Sequence, residues 1–337
     1  MLRLALPSDG EMADPTTHFL HSCGLSVERP NARRYTAAIP ALPGVTVLFQ
    51  RSGDITSKVD EGSADAGIVG LDRYYEYRVE GGDAIVLMED LGFSRCELVV
   101  AMPDAWMDVT SMADLIDLSA ELREKGRDLR VATKYPRLVQ RYFYQKGLNY
   151  FTVVKASGAM EVAPAMGYAD IIADISASGT TLRENRLKTI EDGTVIRSQA
   201  CLIANRKLLR RDPAKLDTAK RVLEMIEARM RATGYYSIEA NIKGPSPEAV
   251  ARQVCESPEL AGLQGPTVAP VYSKEGEKGW YSVTVVVEHE RLLDTVEHLR
   301  HAGAMSLTVT PASYVFGGEC QAYRGLLDEL KREGPPR

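Results

Sequence analysis

The segment Asp174-Ile175-Ser176-Ala177-Ser178-Gly179-Thr180-Thr181 carries the residue types of an anion cradle. Small side chains and a glycine let backbone N–H groups come close to an anion. A helix beginning here adds the partial positive charge of its N-terminus. The hydroxyls of Ser178, Thr180 and Thr181 can donate to phosphate oxygens. Asp174 precedes the cradle, where its carboxylate can accept from ribose hydroxyls or face magnesium. An acidic group beside a phosphate cradle suits a sugar phosphate better than a bare phosphate. Thr181-Leu182-Arg183-Glu184 matches a capping box, which predicts the start of the next helix. A tight strand-to-helix turn with ordinary capping would use the same residues, and spacing alone does not separate the two readings.

Other groups able to do chemistry are scattered. His18 and His21 share a predicted helix face with Cys23 nearby, a spacing open to a metal. No distant partner cluster accompanies them, and histidines on an amphipathic helix are the plainer reading. Lys134-Tyr135 stands before Pro136 at a predicted strand-to-helix junction, where a phosphate or adenine contact and a solvated turn are both open. Asp65 and Asp72 flank Gly67 to Gly70 and read equally as helix caps or as cleft residues.

The elements that must position these groups follow from apolar periodicity. Leu2 to Leu6, Val45 to Phe49 and Ala66 to Val69 are short apolar runs bounded by turn residues, the pattern of buried parallel strands. Thr16 to Cys23 is predicted as helix. A second α/β unit runs through strand Glu97–Met102, helix Met112–Lys125 and strand Leu129–Ala132. It continues with a helix opened by Pro136 and closed by Gly147, strand Thr152–Lys155, helix Ala159–Met166 and strand Asp170–Ile175. The alternation implies a doubly wound α/β layout. A long helix, Asp212–Thr233, ends at Gly234. Beyond it lie strand Tyr236–Ile242, helix Pro247–Cys255 and strands Pro266–Tyr272 and Trp280–Val287 around the charged turn Lys274-Glu275-Gly276-Glu277-Lys278. Helix Arg291–His301, strand Leu307–Thr310 and a terminal helix Gln321–Lys331 complete the chain. The order β-α-β-β-α-β is ferredoxin-like and predicts a small C-terminal domain from about residue 227. No short repeat is visible.

A chain of 337 residues has room for two to three domains. Its net charge of −5, with both signs mixed throughout, argues against general nucleic-acid binding. Cys23, Cys96, Cys201, Cys255 and Cys320 show neither a disulfide framework nor a zinc spacing. The apolar run at the N-terminus is too short for a signal peptide. No stretch approaches the ~20 apolar residues of a membrane span. A cytoplasmic protein is expected.

The pattern Glu161, Gly167, Ala169, Ile172, Asp174, Ser178-Gly179-Thr180-Thr181-Leu182 resembles the signature of ATP phosphoribosyltransferases, the first enzymes of histidine biosynthesis. Four further stretches resemble that family in order: Arg51-Ser52-Gly53-Asp54-Ile55, Asp65-Ala66-Gly67-Ile68-Val69-Gly70, Val131-Ala132-Thr133-Lys134-Tyr135-Pro136 and Arg197-Ser198-Gln199-Ala200-Cys201-Leu202-Ile203. The additional C-terminal domain makes the chain similar to the long form. The resemblance implies a type II periplasmic-binding-protein-like core, with lobe one at 1–94 plus 204–226, lobe two at 95–203, and a regulatory domain and tail at 227–337. It implies a homohexamer of dimers, substrates ATP and phosphoribosyl diphosphate, magnesium, and feedback inhibition by histidine. By the same resemblance Ser178, Gly179, Thr180, Thr181 and Leu182 hold the 5-phosphate, with Asp174 beside them. Asp174 and Glu161 address ribose or Mg2+, Arg51 and Lys134 meet phosphate charge, and Gly70, Asp72, Lys134 and Tyr135 face ATP. Ser306 and Thr308 fall where the family's histidine-binding strand lies.

One departure bears on the chemistry. Family members carry roughly K-x-G-R in the first loop, whereas this chain reads Ser8-Asp9-Gly10-Glu11. A carboxylate near pyrophosphate is repulsive, so either another cation substitutes, such as Arg33, Arg34, Arg51 or Lys58, or the loop sits differently.

Overall fold

The structure, a computed structural model, describes residues 1–31, 34–155, 158–272 and 277–331. Arg33 and residues Lys274, Glu275 and Gly276 of the charged turn lie outside them. The chain forms two compact units, residues 1–219 with 325–337 and residues 220–324.

Two sheets organise the larger unit. The first contains β1 (Leu2–Pro7), β2 (Thr36–Ala38), β3 (Val45–Gln50), β4 (Ala66–Gly70), β5 (Ala84–Met88) and a returning strand. The second contains β6 (Cys96–Pro103), β7 (Leu129–Thr133), β8 (Phe151–Lys155), β9 (Ile171–Ser176) and β10 (Leu187–Ser198). The returning strand of the first sheet is β11 (Ala200–Asn205). The sheet orders are β2-β3-β1-β4-β11-β5 and β10-β6-β9-β7-β8. Setting aside the short β2, the two orders are the same. In each, one strand, β1 or β7, has two parallel neighbours, β3 and β4 or β8 and β9. The strand that enters from the other lobe, β11 or β6, runs antiparallel beside β4 or β9, and β5 or β10 lies at the edge. This is the two-lobed arrangement of a type II periplasmic-binding-protein-like core, with the chain crossing between lobes twice.

The sequence dictates the central strands. Every residue of β4 (AGIVG) and β11 (ACLIAN) is buried, which suits strands covered on both faces. In lobe one, Ala5, Val69 and Ile203 pack under Ile55, Val59, Leu71 and Tyr74 of two short helices, Ile55–Asp60 and Leu71–Tyr77. In lobe two, Leu98, Val131 and Ile171 meet Leu115 of helix Met112–Glu124 and Val139 and Phe143 of helix Pro136–Lys146. Pro136 occupies the first turn of that helix, and Gly147 closes it at φ 90°.

The helix expected over Ala159–Met166 does not form. Residues 161–167 make successive turns instead, with Ala163 N–H donating to the Met160 carbonyl and Met166 N–H to Val162. Pro164 has no N–H and its ring crowds the carbonyl four residues back, which interrupts a helix at this point.

The smaller unit is ferredoxin-like. Strands β12 (Tyr235–Lys243), β13 (Thr267–Pro270), β14 (Trp280–Glu288) and β15 (Ala304–Pro311) form an antiparallel sheet ordered β13-β14-β12-β15. Alternate residues Ile238, Ala240, Ile242, Val283, Val285 and Val287 face helices Pro247–Val254 and Leu292–His301. The other face carries the polar residues of the alternation.

An arginine–aspartate clasp recurs in both lobes. Asp65, immediately before β4, is fully buried and accepts from Arg3 N at 2.8 Å, Arg3 Nη2 at 3.0 Å and Lys215 Nζ at 2.7 Å. Asp170, immediately before β9, accepts from Arg130 N at 2.8 Å, Arg130 Nη2 at 2.9 Å and Arg127 Nη1 at 2.9 Å. Each aspartate N–H in turn donates to the carbonyl of the same arginine, Arg3 or Arg130. Burial alone would raise both carboxyls, but the donors outweigh it and hold them below the ordinary value. Asp65 is therefore neither a helix cap nor a cleft residue, the two roles open to it from sequence.

Asp65→Asn leaves the Lys215 and Arg3 cations without their counter-charge. A loss of about 2–4 kcal/mol is expected in urea unfolding at pH 7. A carboxyl lowered by folding stabilises above its unfolded value of 3.8 and ceases to do so as pH falls through its folded value. The gap between wild type and variant should therefore hold from about pH 7 to 5 and narrow below about pH 4. Equal midpoints at pH 7 would show that the clasp contributes nothing.

Candidate active site

A cleft of about 690 Å3 opens at the carboxyl ends of the parallel strands of both lobes. Asp9, Gly10 and Glu11 follow β1, Arg51 and Ser52 follow β3, and Gly70 closes β4, with Asp72 and Arg73 in the helix after it. From lobe two come Lys134 and Tyr135 after β7, and Asp174, Ile175 and Ala177 at the end of β9. Arg95 and Cys96 begin β6, which runs antiparallel and so presents its amino end here. Ligands of open α/β sheets bind at such ends because the loops diverge there.

Six residues singled out in the sequence converge on this cleft: Arg51, Gly70, Asp72, Lys134, Tyr135 and Asp174. Ser178, Gly179, Thr180, Thr181 and Leu182 lie just beyond Ala177. Glu161 does not line the cleft, but its charge acts on Asp174. Ser306 and Thr308 are exposed on β15, an edge strand of the smaller unit. Asp9 and Glu11 do face the cleft, so the charge reversal of the first loop is a property of the site itself.

Asp72 is buried and fixed by Ser198, whose hydroxyl donates to Oδ1 at 2.6 Å and accepts from Asp72 N–H at 3.0 Å. A Cβ at Gly70 would collide with Asp72 Oδ1 and force that carboxylate to shift. Tyr135 is buried, its N–H donating to Thr133 Oγ1 at 3.0 Å. Burial, reinforced by Asp72, drives its phenol far up, so it stays protonated. Burial also raises the Asp174 carboxyl. Glu161 adds to that, while the Ile175 N–H and Lys134 oppose it. Burial and Asp72 push the Cys96 thiol up to about 11, so it lines the cleft as a thiol and not as a thiolate nucleophile.

Sequence reasoning passed over two groups here. Arg73 stacks on Tyr135, its guanidinium carbon 4.4 Å from the ring centroid. Glu76, buried in lobe one, accepts from Arg137 N at 3.1 Å and Leu138 N at 3.0 Å, and so caps the helix of lobe two that Tyr135 precedes. Arg137 returns to the Arg78 carbonyl and to Glu80 at 3.0 Å. The signal for both was weak, since each acts on residues about 60 positions away.

The phosphate-loop candidate differs in detail from its expected form. Its helix runs Thr180–Glu184 and its cap is Gly179 at φ 71°, with no side-chain cap bond. The capping box at Thr181 and Glu184 is therefore not formed. Gly179 takes the left-handed conformation that would strain other residues, and this starts the helix two residues before the box would. Gly179 N–H donates to Ser176 Oγ at 3.0 Å and Ser178 Oγ to Thr180 Oγ1 at 3.0 Å. Arg183 Nη2 reaches the Ser178 carbonyl and Thr180 Oγ1, both at 3.3 Å.

Among the described residues no group of three or more His, Cys, Asp or Glu side chains could hold a metal. The carboxylates of Asp174 and Glu161 fit an ion that keeps most of its ligands from a bound diphosphate, the usual manner of Mg2+. Among the described residues no helix is long and apolar enough to cross a membrane.

The family model described as ATP phosphoribosyltransferase matches residues 51–228, and that described as HisG, C-terminal domain, matches residues 232–314. The chain is 40% identical over 334 residues to ATP phosphoribosyltransferase 1, chloroplastic, of Arabidopsis thaliana, covering 98% of this chain and 81% of the relative. It is 43% identical over 216 residues to the ATP phosphoribosyltransferase of Chelativorans sp. (strain BNC1), covering 63% of this chain and 94% of the relative. The solved ATP phosphoribosyl transferase (HisG:HisZ) complex from Thermotoga maritima is similar in fold, with a TM-score of 0.52 at 24% identity over 67% of this chain and 98% of that one. Two lobes of one topology, a cleft at their strand ends and a ferredoxin-like unit after them thus accompany matches along nearly the whole sequence: the chain belongs to the ATP phosphoribosyltransferase family, in its long form.

Proposed function

We propose that this enzyme transfers phosphoribosyl from phosphoribosyl diphosphate to N1 of the adenine of ATP, giving phosphoribosyl-ATP and pyrophosphate. The observation that carries the proposal is the convergence of Arg51, Asp72, Lys134, Tyr135 and Asp174, from four separate stretches of sequence, on one cleft. Adenine N1 bears a lone pair and no proton, so no strong general base is required. The demand is positioning of the two substrates and stabilisation of an oxocarbenium-like ribose and a departing polyanion.

In this proposal the loop Ser178 to Leu182 holds the 5-phosphate and Asp174 accepts from the ribose hydroxyls. Arg51 and Lys134 meet phosphate charge, while Gly70, Asp72 and Tyr135 bound the ATP side. Magnesium bound on the diphosphate, facing Asp174 and Glu161, would supply Lewis-acid stabilisation of the leaving charge. The lobes are taken as 1–94 with 204–226 and 95–203. The domain from 227 binds histidine as feedback inhibitor, through Ser306 and Thr308 on β15. Assembly as a hexamer of dimers and a cytoplasmic setting complete the proposal, the latter supported by five cysteines of which none is in a disulfide.

Incubation with ATP, phosphoribosyl diphosphate and Mg2+ should yield phosphoribosyl-ATP and pyrophosphate by mass spectrometry. Ligand binding without product would replace the transferase with a two-lobed binding protein, the reading that Asp9 and Glu11 favour.

Asp174→Asn should lower kcat by about 100-fold, the cost of a misplaced reacting group. Its stability should move the other way. A carboxyl raised by folding costs stability once ionised, above its folded value, and that cost vanishes below the unfolded value of 3.8. At pH 7 the Asn variant should therefore unfold at or above the wild-type temperature. Thr181→Val, which removes a donor to the 5-phosphate, should lower kcat/KM by roughly 10–100-fold. Wild-type rates from both variants would take the loop out of the site.

Ser306→Ala and Thr308→Val lie on an exposed strand and should leave basal turnover intact. Each should raise the histidine concentration for half-inhibition by about 10-fold, the worth of one hydrogen bond to a charged ligand. An undiminished response in both would move the histidine site off β15.

A further inference from the structure

The cleft binds, on the function proposed above, two polyphosphates, yet its first loop contributes the carboxylates of Asp9 and Glu11. The geometry assigns the compensating charge to Arg73, which we infer to be a binding residue for the phosphate oxygens of a di- or triphosphate chain. The inference rests on that function for the identity of the ligand, and on the following observations for the residue.

Arg73 stands third in helix Leu71–Tyr77, at the carboxyl end of the buried strand β4. Its side chain is 26% exposed, and its Nε forms an ion pair with Asp72 Oδ2 at 3.7 Å, longer than a hydrogen bond. Among the described residues its guanidinium donates no hydrogen bond to the protein, although it carries five N–H donors. The side chain is thus largely buried while its nitrogen atoms are not sealed from the cleft, so their donors are open to a ligand. The guanidinium is also well placed: one face lies on the Tyr135 ring at 4.4 Å and Asp72 flanks it. Tyr135 and Asp72 are themselves fixed, by burial and by Ser198. A planar fork held by stacking, with unspent donors at the cleft wall, is the arrangement that recognises phosphate in bidentate fashion.

The other cleft cations are less committed to the cleft. Arg95 is 71% exposed and already pairs with Asp90 at 2.9 Å. Arg51 and Lys134 are exposed. Of the remaining cations offered from sequence, Lys58 pairs with Glu61 at 3.1 Å and does not line the cleft, and neither does Arg34. The stack also joins a residue of lobe one to a residue of lobe two, so a phosphate chain seated on Arg73 would be held at the junction of the lobes.

Isothermal titration of the full-length enzyme with inorganic pyrophosphate, ATP and ribose 5-phosphate tests the assignment. Arg73→Met should weaken pyrophosphate, ATP or both by about 10–100-fold and leave ribose 5-phosphate within about twofold. Loss confined to pyrophosphate marks the diphosphate as the chain on Arg73, and loss confined to ATP marks the triphosphate. Arg73→Lys, which keeps the charge but not the planar fork, should fall between wild type and Arg73→Met. It serves as the readout if the Met variant melts early. Unchanged affinities for pyrophosphate and ATP in both variants, or no binding of either by wild type, would overturn the inference. The transferase function fails separately. Wild type that binds pyrophosphate through Arg73 but forms no product refutes that function alone, whereas full turnover and binding by Arg73→Met refutes this assignment alone.

Discussion

The arginine–aspartate clasp is the constraint on which the core depends. In each lobe it ties two parallel neighbours, β1 and β4 or β7 and β9, at their amino ends, through a carboxylate that also receives a backbone N–H. With one end pinned, the strands diverge through their natural twist toward the other. Their carboxyl ends, and the loops that leave them, are thereby presented together. Arg51, Asp72, Lys134, Tyr135 and Asp174 all stand on such ends. The clasps are buried at the carboxylate and open at the guanidinium, with Arg3 at 36% and Arg130 at 38% exposure. That limits the desolvation cost while retaining most of the attraction.

The cleft spends some of this stability. Asp174 is held where ionisation is unfavourable, Arg73 donates no hydrogen bond among the described residues, and Asp9 and Glu11 add like charge to the wall. Groups of this kind are tolerated where a ligand completes them. The Glu76 carboxylate works against the strain. By capping a helix of the opposite lobe it holds the junction from which Lys134 and Tyr135 enter the cleft. Positioning, which the proposed transfer of phosphoribosyl to an unprotonated nitrogen chiefly needs, is then built in before substrates arrive.

Much of the fold was legible from one sequence because its signals are local. The buried runs of β1, β3, β4, β7 and β9, Pro136 and Gly147 at the two ends of one helix, and the β-α-β-β-α-β order of the C-terminal unit each follow from neighbouring residues. Strand β10 was not seen, since it is a polar edge strand whose pairing shifts register between Thr189 and Thr194. Helices Ile55–Asp60 and Leu71–Tyr77 are too short to show a period. The likeness of the two lobes was hidden because the clasped pairs are 62 residues apart in one and 40 in the other. Arg73 and Glu76 were missed for a related reason. Nothing in their own surroundings marks them, and their roles come from Tyr135 and Arg137, which only folding brings near. The motif around Asp174 was legible as chemistry, but its helix cap was misread, because a left-handed Gly179 competed with a plausible box.

The central claim is that the cleft between the lobes seats a phosphoribosyl diphosphate with its ribose at Asp174. A crystal structure of the enzyme soaked with phosphoribosyl diphosphate and Mg2+ tests this most directly. The account predicts the 5-phosphate on the loop Ser178 to Leu182, ribose hydroxyls within hydrogen-bond distance of Asp174, and the remaining phosphates inside the cleft. Density for the ligand elsewhere, with Asp174 untouched, would contradict it.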